Sequence, residues 1–103
     1  MAAVGVHKIT EDFEKLVSEY TKAPFCVALD NCSNALFLAL LYENIKGKKI
    51  GVPSRTYPSV PCEVIHAGGI VDFYAVEGKI KGEYQLLNTK VFDSALRFTS
   101  NMY

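Results

Sequence analysis

The sequence predicts an α/β fold, a three-layer sandwich with a mostly parallel sheet. Short apolar runs typical of strands alternate with helix-like runs along the 103 residues. That order is the one expected when helices pack on a parallel sheet. The chain is long enough for one domain with a modest core, and no repeat, low-complexity tract or linker divides it.

Composition excludes several classes of function. Eleven basic side chains balance eleven acidic ones, without the basic excess of a nucleic-acid-binding protein. No apolar run reaches the ~18 residues of a membrane span, so neither nucleic acid nor a membrane is an expected partner. Cys26, Cys32 and Cys62 lack CxxC spacing and suggest reduced thiols, hence a cytoplasmic location. His7 and His66 have no partners at ligand spacing, so no metal site is expected.

The first half of the chain contains two helix signals on either side of a strand signal. The first helix is predicted from an N-cap at Thr10 to about Thr21, because Pro24 disfavours helix just before itself. Residues 25–29 are predicted to form a short buried strand. The second helix, residues 34–44, is apolar nearly all round and is expected to be largely buried.

The second half supplies three further strands and one helix. Strands are predicted at residues 48–52, 70–74 and 89–92. The turn-rich residues 75–88 are predicted to form a hairpin or an irregular excursion. A helix follows the first of these strands, with Pro58 at its first helical position. Four side chains form its predicted inward face: Val60, Pro61, Val64 and Ile65.

Polar residues occur where the predicted strands end. They are residues 30–33 (DNCS), residues 54–57 (SRTY), Asp72, and Asp93 with Ser94. Ligands of parallel sheets bind beyond the carboxyl ends of the strands. Parallel strands would bring these groups to one edge of the sheet, and this convergence is the main functional signal.

The run at residues 30–33 has two interpretations. Ser33 and the amides after Asn31 would lie at the start of the second helix, where free N–H groups and the helix dipole favour a phosphate. Alternatively, Asp30, Asn31 or Ser33 simply caps that helix. The carboxylate of Asp30 would repel a phosphate unless it is turned away.

The other polar strand ends also have alternatives. Tyr57, held extended before Pro58, could offer its ring to a planar ligand or pack as ordinary core. Asp93 could pair with a protonated ring nitrogen or cap a helix. Arg55 and Arg97 could bind anions or lie on the surface. A phosphate site, a stacking aromatic and an acidic partner together describe a pyridoxal phosphate pocket.

These residues carry a family resemblance. The chain resembles the N-terminal part of the DegT/DnrJ/StrS-type sugar aminotransferases, a branch of the fold-type I pyridoxal phosphate enzymes. The resemblance reaches from Phe13 to about Phe98 and is best in DNCSNALFLALL, IGVPSRTYPSVPCEVIHAGG and VFDSA. It implies that residues 1–103 are a single partial large domain of a pyridoxal-phosphate-dependent transferase.

The resemblance also implies a cofactor site. The phosphate-holding segment of the family corresponds to residues 31–33, with a cysteine in place of the family's glycine. The family's stacking aromatic corresponds to Tyr57, and its partner of the pyridine nitrogen to Asp93. Six residues are therefore expected to bind pyridoxal phosphate: Asn31, Cys32, Ser33, Tyr57, Asp93 and Ala95.

The resemblance assigns no catalytic residue to this chain. The family's Schiff-base lysine corresponds to a position after Tyr103, and none of the nine lysines present occupies that motif. Covalent catalysis of the usual kind is therefore not expected of this chain alone.

We therefore expect a fragment or short relative of a pyridoxal-phosphate-dependent sugar aminotransferase, inactive by itself. Intact relatives transfer an amino group from an amino acid to a nucleotide-linked keto sugar. The implied partners are a second copy, in a homodimer, or a chain carrying the missing C-terminal part. The alternative is a non-enzymatic α/β module that binds a phosphorylated ligand or a partner chain.

Overall fold

Backbone contacts divide the protein into two units. The structure, a computed structural model, describes residues 2–77 and 82–103. The first unit comprises Met1–Leu29 with Phe98–Tyr103, and the second comprises Asp30–Arg97. Part of the turn-rich segment predicted at residues 75–88, namely residues 78–81, lies outside the described residues.

The first unit is built on one long helix, α1 (Ala2–Thr21). The predicted N-cap at Thr10 is wrong, because the helix passes through this position. An ion pair between Lys8 and Asp12, 3.1 Å apart at i and i+4, spans it and supports a continuous helix. The predicted end of the helix is confirmed, and Lys22 follows it with a φ of 69°, the left-handed conformation common after helices.

The strand predicted at residues 25–29 is also wrong, because this segment forms no regular structure. Phe25 is 85% exposed, and Val27 is exposed as well. A strand needs backbone partners on a neighbouring strand, and among the described residues this segment has none. The amide of Ala28 instead donates to Oε2 of Glu14 at 2.7 Å.

The last residues of the chain complete the C-terminal end of α1. The amides of Asn101 and Tyr103 donate to the carbonyl oxygens of Tyr20 and Thr21, at 2.9 and 3.0 Å. The rings of Tyr20 and Phe98 stack with their centroids 5.0 Å apart. These contacts satisfy carbonyls that have no acceptor role inside the helix.

The described residues of the second unit form two helices and four strands. In chain order they are α2 (Cys32–Tyr42), β1 (Lys49–Pro53), α3 (Ser59–His66), β2 (Ile70–Tyr74), β3 (Tyr84–Gln85) and β4 (Phe92–Asp93). β1 and β2 pair in parallel, from Lys49 opposite Ile70 to Pro53 opposite Tyr74, and α3 connects them. The predicted α/β fold is confirmed, with a small parallel sheet of two strands.

Most predicted elements of this unit agree with the structure to within two residues, and the last strand differs most. β4 pairs antiparallel with β3 in a separate two-stranded sheet, so the turn-rich segment supplies one strand of a hairpin whose other strand follows it in the chain. Thr89, expected to begin a strand, instead forms a turn. Its hydroxyl donates to the carbonyl of Leu86 at 2.7 Å and accepts from the amide of Val91 at 3.0 Å.

The core of the second unit collects apolar side chains from α2, α3, β1 and the segments that follow them. Its buried members are Leu36, Leu40, Ile45, Ile50, Val52, Val60, Val64, Ala67 and Leu86. The i, i+4 spacing of the buried pairs in α2 and α3 places each pair on one helical stripe.

Two predictions about burial are wrong. α2 is not largely buried, because Leu38 and Leu41 are about half exposed. Ile65, expected on the inward face of α3, is 61% exposed. α2 packs against α3 along one side, so only one stripe of each helix enters the core.

The antiparallel pair is attached to β1 through a glycine. The amide of Gly51 donates to the carbonyl of Leu87, and the amide of Leu87 donates back, both at 3.0 Å. A Cβ at position 51 would lie 2.5 Å from the Cβ of Leu87, so only glycine allows this approach. The contact brings the chain around β3 beside β1.

Among the described residues, no helix is both long and apolar enough to cross a membrane.

The one-sided burial of α2 predicts unequal effects of two matched substitutions. Leu40→Ala removes a side chain that is 0% exposed, and we expect the free energy of unfolding to fall by about 2–4 kcal/mol. Leu38→Ala, on the half-exposed side of the same helix, should cost less than about 1 kcal/mol. Urea unfolding followed by circular dichroism measures both. Equal losses would show that the two sides of α2 are equally buried.

Candidate functional site

The start of α2 is organised by Asn31. Its backbone is extended, and its side-chain oxygen accepts a hydrogen bond from the amide of Asn34 at 2.8 Å. The capping interpretation is therefore correct for this residue. Cys32 follows as the first helical residue, without positive φ, so a cysteine fits here without backbone strain. The carboxylate of Asp30 accepts a bond from the side-chain amide of Asn34 at 2.8 Å.

Hydrogen-bond donors remain at this helix start. The amides of Cys32 and Ser33 belong to the first helical turn, which offers no intrahelical acceptor, and they have none among the described residues. The hydroxyl of Ser33 donates to Oγ of Ser59, the first residue of α3, at 3.0 Å. The proton of the Ser59 hydroxyl remains available to another acceptor. Sequence reasoning missed Ser59, although its position just after Pro58 marks a helix start.

Asp93 lies at the end of β4 and accepts hydrogen bonds on both carboxylate oxygens. Tyr84 donates its hydroxyl to Oδ2 at 2.8 Å. The backbone amide of Ala95 donates to Oδ1 at 3.3 Å, and Sγ of Cys32 lies 4.0 Å from the same oxygen. Asp93 thus closes a local turn of the backbone and caps none of the described helices.

Tyr84 is the residue that sequence reasoning missed altogether, because it lies in the turn-rich segment where no pattern indicated a site. Its hydroxyl oxygen is 2.7 Å from Oγ1 of Thr56. Since Tyr84 donates its only hydroxyl proton to Asp93, Thr56 is the donor in this second bond. Burial raises the pKa of Tyr84 well above its usual value; the bond from Thr56 lowers it, and Asp93 raises it further. Tyr84 therefore remains a protonated donor at neutral pH.

The predicted convergence of polar strand ends is found for three segments. Three residues are joined, directly or through Tyr84: Cys32 at the start of α2, Thr56 in the loop after β1, and Asp93 at the end of β4. Tyr57, next to Thr56, is 74% exposed, so the interpretation of its ring as ordinary core is wrong.

The remaining polar candidates lie elsewhere. Asp72 is in the middle of β2, opposite Gly51, and not at a strand end. Arg97 forms an ion pair with Glu83 at 2.9 Å, which favours the surface interpretation for this arginine. Arg55 is exposed.

The thiol of Cys32 is held in its neutral form by its surroundings. Partial burial raises its pKa, and the negative charge of Asp93 raises it further. A neutral thiol is a weak donor toward the carboxylate and a poor nucleophile. Among the described residues, no group of three or more histidine, cysteine or acidic side chains is placed to hold a metal ion.

Comparison with known protein families gives a match. The model of the DegT/DnrJ/EryC1/StrS aminotransferase family matches residues 4–82. No curated protein and no solved structure is significantly similar to the chain. The matched span contains residues 31–33 and Tyr57, whereas Asp93 and Ala95 lie beyond it.

The contact between Cys32 and Asp93 predicts a shift in thiol reactivity. The rate of alkylation by iodoacetamide follows the thiolate fraction. The pH at which this rate is half-maximal should therefore be higher for Cys32 than for an ordinary cysteine. In Asp93→Asn the negative charge is gone, and the half-maximal rate should move to lower pH. Mass spectrometry of the Cys32 peptide resolves it from the other cysteines. Cys62 in the same sample is the control, and an unchanged Cys32 profile would contradict the influence of Asp93.

Proposed function

The chain belongs to the DegT/DnrJ/EryC1/StrS aminotransferase family, and we propose that its second unit contains a binding site for pyridoxal 5′-phosphate. One observation supports the proposal most strongly. Residues from the start of α2 and the end of β4, 61 positions apart, approach to 4.0 Å between Cys32 Sγ and Asp93 Oδ1. The N-terminus of α2, with its free amides, thus lies beside the carboxylate of Asp93. The phosphate of the cofactor would bind the amides, and its protonated ring nitrogen would bind the carboxylate.

The start of α2 fits the phosphate group. The amides of Cys32 and Ser33 are donors at the positive end of the helix dipole. The Ser59 hydroxyl adds a donor, because it accepts from Ser33 and keeps its own proton. Asn31 holds the geometry by capping the helix. The carboxylate of Asp30 is engaged by the Asn34 side chain, which reduces its repulsion of an anion.

The ring of the cofactor would be held by two other residues. Tyr57 is exposed beside the site residue Thr56, and its face is available for stacking. Asp93 would accept a hydrogen bond from the ring nitrogen, and its ionised form favours the protonated ring. The amide of Ala95 contributes by binding Asp93 at 3.3 Å. The proposed site therefore uses the six residues expected from the sequence.

The reaction to which this site contributes would be amino transfer from an amino acid to a nucleotide-linked keto sugar. When bound, the cofactor acts as the electron sink for that chemistry. The protein's part, as proposed, is to bind the phosphate, stack on the ring and stabilise the charge of the ring nitrogen. No lysine among the nine in these residues is assigned a covalent role, so this chain alone is proposed to be inactive.

The proposal extends to assembly and location. We propose that the chain forms a homodimer, and that association with a chain that carries the covalent lysine would complete the catalytic site. Reduced thiols at Cys26, Cys32 and Cys62 would be maintained in the cytoplasm.

Titration of the purified chain with pyridoxamine 5′-phosphate tests the cofactor site. This form of the cofactor has no aldehyde, so it does not react with surface lysines. We expect saturable binding by calorimetry, weakened about tenfold in Tyr57→Ala through loss of stacking. Ser33→Ala should weaken it about threefold, because the Ser59 hydroxyl loses the hydrogen bond that orients it toward the phosphate. Tyr42→Ala removes an exposed tyrosine at the far end of α2 and serves as the control with unchanged affinity.

Two results would overturn the proposal. An absence of saturable binding would remove the cofactor from this site. Inorganic phosphate binding as tightly as pyridoxamine 5′-phosphate, with no effect of Tyr57→Ala, would instead support the non-enzymatic module that binds a phosphorylated ligand.

A further inference from the structure

The hydroxyl of Tyr84 is held between a donor and an acceptor. Thr56 donates to it from 2.7 Å, and it donates to Oδ2 of Asp93 at 2.8 Å. Each of the three side chains is partly buried, so solvent competes less with these bonds than at the surface. The chain of hydrogen bonds connects the loop after β1 with β3 and β4.

This arrangement restrains Oδ2 of Asp93 and leaves Oδ1 able to accept a further hydrogen bond. Oδ2 of Asp93 receives the short bond from Tyr84. Oδ1 has only longer contacts, 3.3 Å to the Ala95 amide and 4.0 Å to Cys32 Sγ. A carboxylate oxygen accepts more than one hydrogen bond, so Oδ1 can accept from a further donor while Tyr84 restrains the group.

We propose that Tyr84 is a positioning residue of the cofactor site, which acts on the cofactor's ring nitrogen through Asp93. This inference rests on the proposed function, since it assumes that Asp93 meets the ring nitrogen. A bond from Tyr84 restricts rotation of the Asp93 carboxylate, so that Oδ1 keeps one orientation in which it can accept from the ring nitrogen. Thr56 contributes by orienting the Tyr84 hydroxyl toward Asp93.

Other ionisable groups near these three residues do not take the place of Tyr84 as the donor to Oδ2 of Asp93. Cys32 approaches Asp93 from α2 with a thiol whose pKa is raised by burial, so it remains neutral. Tyr74 in β2 lies close enough to influence Tyr84, and burial raises its own pKa too. Glu83 binds Ser94 and Arg97 instead.

The test compares two ligands that differ at one ring atom. Pyridoxamine 5′-phosphate carries the ring nitrogen, and its 1-deaza analogue has a carbon there. Tyr84→Phe keeps the ring and removes only the hydroxyl, and calorimetry gives both affinities. We expect Tyr84→Phe to lower the affinity for pyridoxamine 5′-phosphate about tenfold, because the charge-assisted hydrogen bond between Asp93 and the ring nitrogen is then poorly oriented. The affinity for the deaza analogue should change by less than about twofold, because this ligand has no ring nitrogen for Asp93 to bind.

Two further variants sharpen the comparison. Thr56→Val, which removes the donor to Tyr84, should weaken pyridoxamine 5′-phosphate about threefold and again spare the deaza analogue. Tyr42→Phe makes the same chemical change at an exposed tyrosine and should affect neither ligand. Agreement between Tyr84→Phe and Thr56→Val would support the chain of hydrogen bonds as the unit that acts.

The possible outcomes separate this inference from the proposed function. If the unmodified chain binds pyridoxamine 5′-phosphate and Tyr84→Phe binds it equally well, the role of Tyr84 is overturned while the cofactor site stands. If Tyr84→Phe weakens both ligands equally, its effect is structural and the positioning role is overturned. If the unmodified chain binds neither ligand, the proposed function fails and this inference fails with it.

Discussion

The parallel pairing of β1 with β2 is the constraint on which the second unit depends. Parallel neighbours cannot be joined by a tight turn, so the chain between them must cross over, and α3 is that crossover. The crossover places Val60 and Val64 against the sheet, where they share the core with Ile50 and Val52 of β1. Burial of these side chains removes apolar surface from water and favours the unit as a whole. The loop after β1 is thereby fixed at one edge of the sheet.

A second attachment decides what lies at that edge. The exchange of hydrogen bonds between Gly51 and Leu87 seats the antiparallel pair beside β1. Tyr84 and Asp93 belong to that pair, and the close approach that lets Tyr84 bond Thr56 depends on the absence of a side chain at position 51. A change at this glycine would therefore affect the site as well as the fold, even though Gly51 itself touches no group in the site.

The site combines a fixed carboxylate with unused donors. Asp93 is held by Tyr84 and the Ala95 amide, whereas the first amides of α2 have no acceptor among the described residues. An anionic group and a cationic group therefore both find complementary partners within one small region. A phosphorylated pyridine has both groups on one molecule, which is why family membership and local chemistry favour the same ligand class.

The sequence by itself determined the local features of this protein. Short apolar runs predicted β1 and β2, Pro58 with the apolar residues after it predicted α3, and small polar residues at strand ends marked the site's edge, with a cap at Asn31. These signals lie within a few residues of one another, where propensity and periodicity act. Tertiary structure alone decided that residues 25–29 form no strand, that only one stripe of α2 is buried, and that Tyr84 bridges Thr56 and Asp93. Strand pairing, burial and hydrogen bonds between distant residues depend on which segments become neighbours, and no local pattern encodes that choice.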